Sequence, residues 1–130
     1  MSAIETVTSF YQLFGEGRIP EALERHVDEA AILENPLPDS IPFGGTFEGR
    51  EGFAEYLGGI SSTIAMEAFG VDEIFADGER VVVLGRETSL VHATGKRYTM
   101  SWVHVLTVRN ERVIHMREYN DTAAMQDAFL

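Results

Sequence analysis

The chain has 130 residues, of which 10 are Lys or Arg and 21 are Asp or Glu, so its formal net charge is −11. A charge of this sign is repelled by phosphate backbones and anionic lipid, which argues against nucleic acid and membrane surfaces as partners. The length fits one domain, expected to span residues 1–130, and the absence of cysteine excludes disulfides, thiol catalysis and thiolate metal sites.

The composition is that of an ordinary water-soluble protein. Hydrophobic residues make up 45% of the chain, and no apolar run approaches the roughly 18 residues that a membrane span needs. The first residues, M-S-A-I-E-T, contain an acid and lack the pattern of a signal peptide. We therefore expect a cytoplasmic protein.

A first helix is predicted at the start of the chain. Ser2 followed by Glu5 is typical of a capping box, and Gly15 and Gly17 end the helical spacing. The apolar positions of this helix are Ile4, Val7, Phe10, Tyr11 and Phe14. Such a stripe is typical of plain core packing, and the lining of a pocket is the alternative.

Two further helices are expected before the sheet. Pro20 at a first helical position predicts a short helix, and its His26 is expected at the surface or at the boundary of the core. A third helix begins near Arg50, and Gly58 and Gly59 weaken its second half. Its apolar positions are Phe53, Tyr56, Leu57, Ile60 and Ile64.

Between the second and third helices the chain predicts a strand and then a loop. Residues Ala30 to Asn35 are typical of a short strand. The next ten residues hold three prolines and two glycines, a composition that fits neither a helix nor a central strand. This loop is either the rim of a pocket or a simple crossing of the surface.

The second half of the chain predicts an antiparallel sheet. The apolar period changes to two, with strands expected at residues 68–76 and 80–92, followed by a long hairpin that ends near residue 121. Helices followed by strands indicate an α+β domain, with the helices on one face of a curved antiparallel sheet. The tail from Thr122 to Leu130 is expected to form a helical turn that closes a mouth or reaches a neighbouring subunit.

The register of the long hairpin decides which side chains meet. A two-residue turn at Asn110 and Glu111 places Val103 opposite Glu118, whereas a three-residue turn places Trp102 there. We expect the three-residue turn, because it gathers the apolar residues on one face. That face would hold Trp102, His104, Leu106, Ile114, Met116 and Glu118, and the other would hold Thr107, His115 and Arg117.

The order of these elements, with E-N-P at residues 34–36 and R-V-I-H-M-R-E-Y-N-D-T at residues 112–122, resembles the NTF2-like superfamily over nearly the whole chain. The SnoaL-like and ketosteroid-isomerase-related members are the most similar. The resemblance implies a cystatin-like α+β barrel, in which a cone of curved antiparallel sheet surrounds three N-terminal helices. It also implies a pocket inside the cone for a small apolar or partly polar organic ligand, and a homodimer formed through the outer face of the sheet. The same cone holds isomerases, cyclases, binding proteins and non-enzymes, so it does not define the activity.

Steroid isomerases of this fold use a tyrosine donor, an aspartate base and a protonated aspartate, and these positions match Phe10, Asn35 and His104. A phenyl ring cannot donate a hydrogen bond and an amide cannot abstract a proton, so that mechanism is not expected here. Tyr11 lies about 100° around the helix from Phe10 and is a poor substitute by position.

SnoaL-like cyclases instead place a working aspartate on the last strand, at a position that Glu118 matches. His104 on the neighbouring strand is then within reach of a hydrogen bond. The alternative for Glu118 is an ion pair with Arg86 or Arg117 at the end of the sheet, which would leave its chemistry idle. We therefore predict Glu118 and His104 as catalytic residues.

The resemblance also predicts the residues that line the pocket. They are Tyr11, Phe14, Asn35, Tyr56, Met100, Trp102, Met116 and Asp121, although Asp121 is equally suited to cap the tail. No cofactor and no metal are expected, because His104 and Glu118 supply two ligands at best. Two functions stay open. The first is an acid–base isomerase, cyclase or dehydratase that enolises a carbonyl compound, with His104 and either Asn35 or Tyr11 stabilising the enolate. The second is a non-catalytic module for binding a hydrophobic ligand or for dimerisation.

Overall fold

A computed structural model describes all 130 residues. The elements in chain order are α1 (Ala3–Gly15), α2 (Ile19–His26), β1 (Val27–Asn35), β2 (Gly45–Glu48), α3 (Gly49–Thr63), β3 (Ile64–Asp77), β4 (Arg80–Val91), β5 (Arg97–Arg109), β6 (Arg112–Asn120) and α4 (Thr122–Gln126), followed by a 3₁₀ turn (Asp127–Phe129). None of the helices is both long enough and apolar enough to cross a membrane.

The six strands form one curved, unclosed sheet in the order β2-β1-β6-β5-β4-β3. The α+β class and the curved sheet with helices against it are confirmed. The sheet is mixed, however, because β1 runs parallel to β6, whereas the other neighbouring strands are antiparallel. The expectation of a purely antiparallel sheet is wrong at this pair, since β1 and β6 lie far apart in the chain and no hairpin joins them.

Two strands are longer than predicted and one was not predicted. β1 begins at Val27 and β3 begins at Ile64, directly after the helices that precede them. The short strand β2 pairs with β1 and contains Phe47, which packs beside Tyr56 of α3. The pattern of four residues is too short to distinguish such a strand from a loop.

The hairpin of β5 and β6 has a two-residue turn, and the expected three-residue turn is wrong. Asn110 and Glu111 both have positive φ, and Arg109 pairs with Arg112. A bulge next to the turn then leaves Ile114 without a partner and shifts the register, so that His104 lies opposite Glu118. Trp102 lies opposite Asn120.

The bulge explains why the predicted inner face is nevertheless nearly correct. A two-residue turn alone would pair Val103 with Glu118, so that His104 and Glu118 would face opposite sides of the sheet. The bulge shifts the pairing by one residue, so that both face inward. The inner side chains are Trp102, His104, Leu106, Met116 and Glu118, all of them buried. On the turn side of the bulge, Val113 takes the buried position expected for Ile114.

His26 is buried and does not lie at the surface. Its exposed fraction is 2%, and its Nε2 lies 2.8 Å from the hydroxyl of Ser9 on α1. The eight residues of α2 pack against α1, so the last turn of this short helix is covered. A helix of eight residues has too few apolar positions to predict from its sequence which neighbouring element covers His26.

Candidate active site

A largely apolar cavity lies between the inner face of the sheet and the helices α1 and α3. Its walls are formed by 21 residues, 16 of them hydrophobic. The polar side chains that reach it are Tyr11, Asn35, Tyr56, Glu87, Trp102, His104, Glu118 and Asn120. The cavity thus combines apolar walls with a few convergent polar groups, the usual character of a small-molecule site.

The two residues predicted to be catalytic meet inside this cavity. Neighbouring strands place them directly opposite each other, and His104 Nε2 lies 2.7 Å from Glu118 Oε1. Both side chains are less than 10% exposed. The other carboxylate oxygen, Glu118 Oε2, is buried without a hydrogen-bond partner. One oxygen of this carboxylate is therefore hydrogen-bonded to the imidazole, and the other has no partner.

The arginines that offered an alternative partner for Glu118 are occupied elsewhere. Arg86 pairs with Asp72 on the outside of the sheet, and Arg117 pairs with Glu34. Glu118 therefore has a histidine beside it and no arginine, and the idle ion pair considered from the sequence does not form.

Tyr11 contacts the imidazole from the opposite side. Its hydroxyl is hydrogen-bonded to His104 Nδ1, and its ring lies beside those of Trp102 and His104. Burial and the nearby Glu118 carboxylate raise the pKa of the Tyr11 phenol well above its usual value, so the phenol keeps its proton. Its position one residue along α1 from Phe10 thus does not prevent the Tyr11 hydroxyl from reaching the site.

When Glu118 is ionised, Tyr11 donates a hydrogen bond to His104, and His104 donates one to Glu118. His104 donates its Nε2 proton to Glu118, and its Nδ1 accepts the proton of Tyr11. Such a chain fixes the tautomer and the orientation of the ring.

Trp102 forms part of the wall between the two ends of the cavity. Its indole stacks on Phe69 with centroids 4.9 Å apart, and on His104 with centroids 4.1 Å apart. The strand opposite makes room for it, because a Cβ at Gly85 would lie 2.1 Å from the indole atom Cζ2. The indole Nε1 has no hydrogen-bond partner in the chain.

A chain of amides and a phenol lies along the β1 and β6 side. Asn120 donates to Asn35 Oδ1 over 2.9 Å, and Asn35 donates to the Tyr56 hydroxyl over 2.7 Å. Burial and then the nearby Glu118 carboxylate raise the pKa of Tyr56 well above its usual value. Tyr56 therefore remains a protonated phenol beside the candidate base.

A second buried acid, Glu87 on β4, was not among the residues predicted from the sequence. Its side chain lines the cavity, and its Oε2 accepts hydrogen bonds from the hydroxyls of Tyr98 at 2.7 Å and Ser89 at 2.8 Å. Burial raises the pKa of Glu87, against the opposing effect of these two hydrogen bonds. The signal in the sequence was an acid at an inward position of an alternating strand, R-V-V-V-L-G-R-E-T-S-L-V, where apolar residues are the rule.

The remaining predicted pocket residues divide into two groups. Phe14, Met100 and Met116 lie in the wall of the cavity, as does Phe10. Asp121 lies outside the wall, where its side chain accepts from the backbone N–H of Ala124 and caps α4. The tail does reach the cavity through Met125, so the helical turn predicted there covers one end of it.

No group of three or more His, Asp or Glu side chains is arranged to hold a metal ion. His104 and Glu118 bind each other, and Glu87 is bonded to two hydroxyls. The arrangement is suited to moving protons within an apolar enclosure.

Comparison with known families gives one clear result. The model of the SnoaL-like domain matches residues 7–116, which is most of the chain and ends two residues before Glu118. Among curated proteins, the chain is 26% identical over 105 residues to the uncharacterized protein YesE of Bacillus subtilis (strain 168), with 78% of this chain and 70% of YesE covered.

Solved structures share the fold over its whole extent. An NTF2-like protein from Burkholderia xenovorans LB400 is 29% identical, with a TM-score of 0.87 over 100% of this chain and 98% of that one. TerC, a protein co-crystallised with polyporic acid, is 25% identical, with a TM-score of 0.84 over 98% of this chain and 97% of that one.

Proposed function

Because the chain belongs to the SnoaL-like domain family, we propose that it is a cofactor-independent acid–base enzyme of that family. The substrate would be a small, largely apolar carbonyl or hydroxycarbonyl compound. One observation carries the proposal: a buried glutamate inside an apolar cavity has one oxygen held by His104 and the other unpaired.

The unpaired oxygen is suited to act as a general base. Glu118 Oε2 would accept a proton from a carbon next to the carbonyl of the substrate, while Oε1 keeps its hydrogen bond to His104. The electrons of the broken C–H bond move towards the carbonyl oxygen and form an enolate. Isomerisation, aldol cyclisation and dehydration share this first step, so the proposal names the step and not the product.

The enolate oxygen needs a donor close to the base. Tyr56 is beside Glu118 and is oriented by the amide of Asn35, and its phenol remains protonated. The amide of Asn35 is already bonded to Tyr56, so of the residues considered from the sequence it acts through the phenol and not directly. We propose that Tyr56 is the donor, while Tyr11 and His104, whose protons are directed to His104 and Glu118, orient the base.

The experiment that tests this proposal is hydrogen–deuterium exchange of 2-tetralone, a flat bicyclic ketone with an acidic C–H next to its carbonyl. We expect the protein to accelerate exchange in D₂O, followed by proton NMR, and the Glu118→Gln variant to lose about 100-fold or more of the acceleration. The control is Glu73→Gln, which removes an exposed acid on β3. Equal rates for the parent and Glu118→Gln would show that Glu118 is not the base.

A second candidate function is a binding module without catalysis. It is favoured by the bonds that join Tyr11, His104 and Glu118, because they satisfy part of the polar wall without any ligand. Quenching of the single tryptophan, Trp102, would report ligand binding in the cavity. Polyporic acid is a suitable second probe, given its presence with TerC. Quenching without exchange would favour the binding module.

We also propose that the protein is a homodimer. The outer face of the sheet has an apolar surface on strands β3 to β6, formed by Phe75, Val82, Leu84, Val103, Val105 and Tyr119. Phe75 and Tyr119 are each 48% exposed, so this surface is available in the isolated chain. A second copy of the chain would bury it.

A further inference from the structure

Glu87 is the one carboxyl in the cavity that the proposed reaction leaves without a role. It lies on β4 opposite Met100, whereas Glu118 lies on β6 opposite His104. Met100 and His104 are four residues apart on β5, a separation of about 13 Å along the strand. The two acids are therefore attached on opposite sides of β5, at different levels of the cavity, with Trp102 between them.

The Glu87 side chain is held by one oxygen. Tyr98 and Ser89 both donate to Oε2, while Oε1 makes no hydrogen bond within the chain. The supporting hydroxyls are themselves buried, with exposed fractions of 4% for Tyr98 and 0% for Ser89. The carboxyl is thus fixed in the wall of the cavity, with one oxygen left for a ligand.

We propose that Glu87 is a second binding group of the cavity, which hydrogen-bonds through Oε1 to an oxygen of the ligand at the end remote from Glu118. This inference rests on the proposed function, since it assumes that a carbonyl group lies next to Glu118. It deepens that function by defining the substrate class: an apolar body that carries two oxygen functions, one at each end.

The protonation state of Glu87 decides which oxygen groups it accepts. The titratable groups around it are Tyr56, Tyr98, His104 and Glu118. Burial raises the pKa of Glu87, and the charge of Glu118 acts in the same direction, whereas His104 and the hydrogen bonds from Tyr98 and Ser89 oppose the shift. Since Oε2 already accepts two hydrogen bonds, a proton on this carboxyl belongs on Oε1. Neutral Glu87 then donates to a carbonyl or ether oxygen, and ionised Glu87 repels it.

The test uses two probes of nearly equal shape, 6-methoxy-2-tetralone and 6-ethyl-2-tetralone. They share the ketone, and only the methoxy compound has an acceptor at the far end. Dissociation constants are measured by quenching of Trp102 across a range of pH. We expect the parent protein to prefer the methoxy probe by about fivefold at low pH, the value of one hydrogen bond. The preference should disappear as the pH rises through the pKa of Glu87.

Two variants separate this role from a structural one. Glu87→Gln retains a donor that cannot ionise, so it should keep the preference at every pH. Glu87→Met removes the donor and should bind both probes equally. If Glu87→Met does not fold, the comparison of the parent with Glu87→Gln decides the question alone, because a purely structural role predicts no pH-dependent preference in either protein.

The outcomes distinguish this inference from the function on which it rests. Equal affinity of the parent for both probes at every pH would overturn the role of Glu87 and leave the exchange reaction of Glu118 intact. A preference that survives in Glu87→Met would also overturn it. If neither probe quenches Trp102 and 2-tetralone shows no exchange, the proposed function itself fails.

Discussion

At the scale of single residues, buried polar groups determine what this protein can do. The interior holds His26, Asn35, Glu87, His104 and Glu118, each less than 10% exposed. A buried charge is costly unless it is paired, and Glu118 has only a histidine as its partner. Such groups do not improve the packing of a core, so their presence favours a site over a purely structural interior.

His26 leads to a prediction about stability. Burial lowers the pKa of His26, and the nearby Arg25 and Arg112 act in the same direction, against the opposing effect of Glu111. The unfolded chain therefore takes up a proton there at a higher pH than the folded chain does. Acidification through about pH 6.5 should favour unfolding, and this loss should level off below the pKa of the folded state.

The measurement is the free energy of unfolding in urea at pH 7.5 and pH 5.5. The parent should lose more stability between these values than His26→Gln, which keeps a polar partner for Ser9. His92→Gln, a change at an exposed histidine, should behave as the parent does. An identical loss in the parent and in His26→Gln would contradict the prediction.

At the scale of elements, the β5–β6 hairpin and its neighbour β4 assemble the site. The turn at Asn110 and Glu111 would by itself have placed Val103 opposite Glu118. The bulge at Ile114 corrects this by one residue, so that the carboxylate and the imidazole meet across the strands. On the other side of β5, Gly85 leaves the space that the indole of Trp102 occupies.

Gly85→Ala tests this accommodation of the indole. The added Cβ would lie 2.1 Å from Trp102 Cζ2 and 2.5 Å from the carbonyl oxygen of Gly70, so the indole and the strand have to move. We expect a loss of about 1–3 kcal/mol in the free energy of unfolding, and a shifted tryptophan emission.

The matched control is Gly58→Ala in α3. A Cβ at Gly58 meets nothing within 4 Å, and alanine favours the helix, so this variant should gain about 0.5–1 kcal/mol. Unchanged stability and emission in Gly85→Ala would show that the wall adapts without cost.

At the scale of the whole molecule, the inner face of the sheet lines the cavity, and we propose that its outer face binds a second copy of the chain. Outward positions of strands β3 to β6 form the apolar surface described above, and two aromatic side chains on it are about half exposed. The net charge of −11 opposes association, so screening by salt should strengthen a dimer that apolar burial drives.

Light scattering coupled to size exclusion tests the dimer. In about 0.15 M salt we expect twice the 14.5 kDa of one chain, and Leu84→Glu should give the mass of one chain because it places a charge in the apolar surface. Ala123→Glu, on the exposed side of α4, should remain a dimer. A parent protein of 14.5 kDa would rule out this assembly.

The sequence by itself determined the main elements. Helical spacing and strand alternation depend on residues close together in the chain, so they located α1, α3 and the long strands. The resemblance to the NTF2-like superfamily added the curved sheet.

The tertiary structure alone decided the contacts between distant segments. The parallel pairing of β1 with β6, the burial of His26 and the hydrogen bond of Tyr11 to His104 join residues that lie far apart in the sequence. The bulge that sets the register was not visible in the alternation, because a shift of one residue leaves each local pattern intact. Glu87 carried a local signal, an acid at an inward position of β4, but its partner Tyr98 lies on another strand, and only the sheet brings the two together.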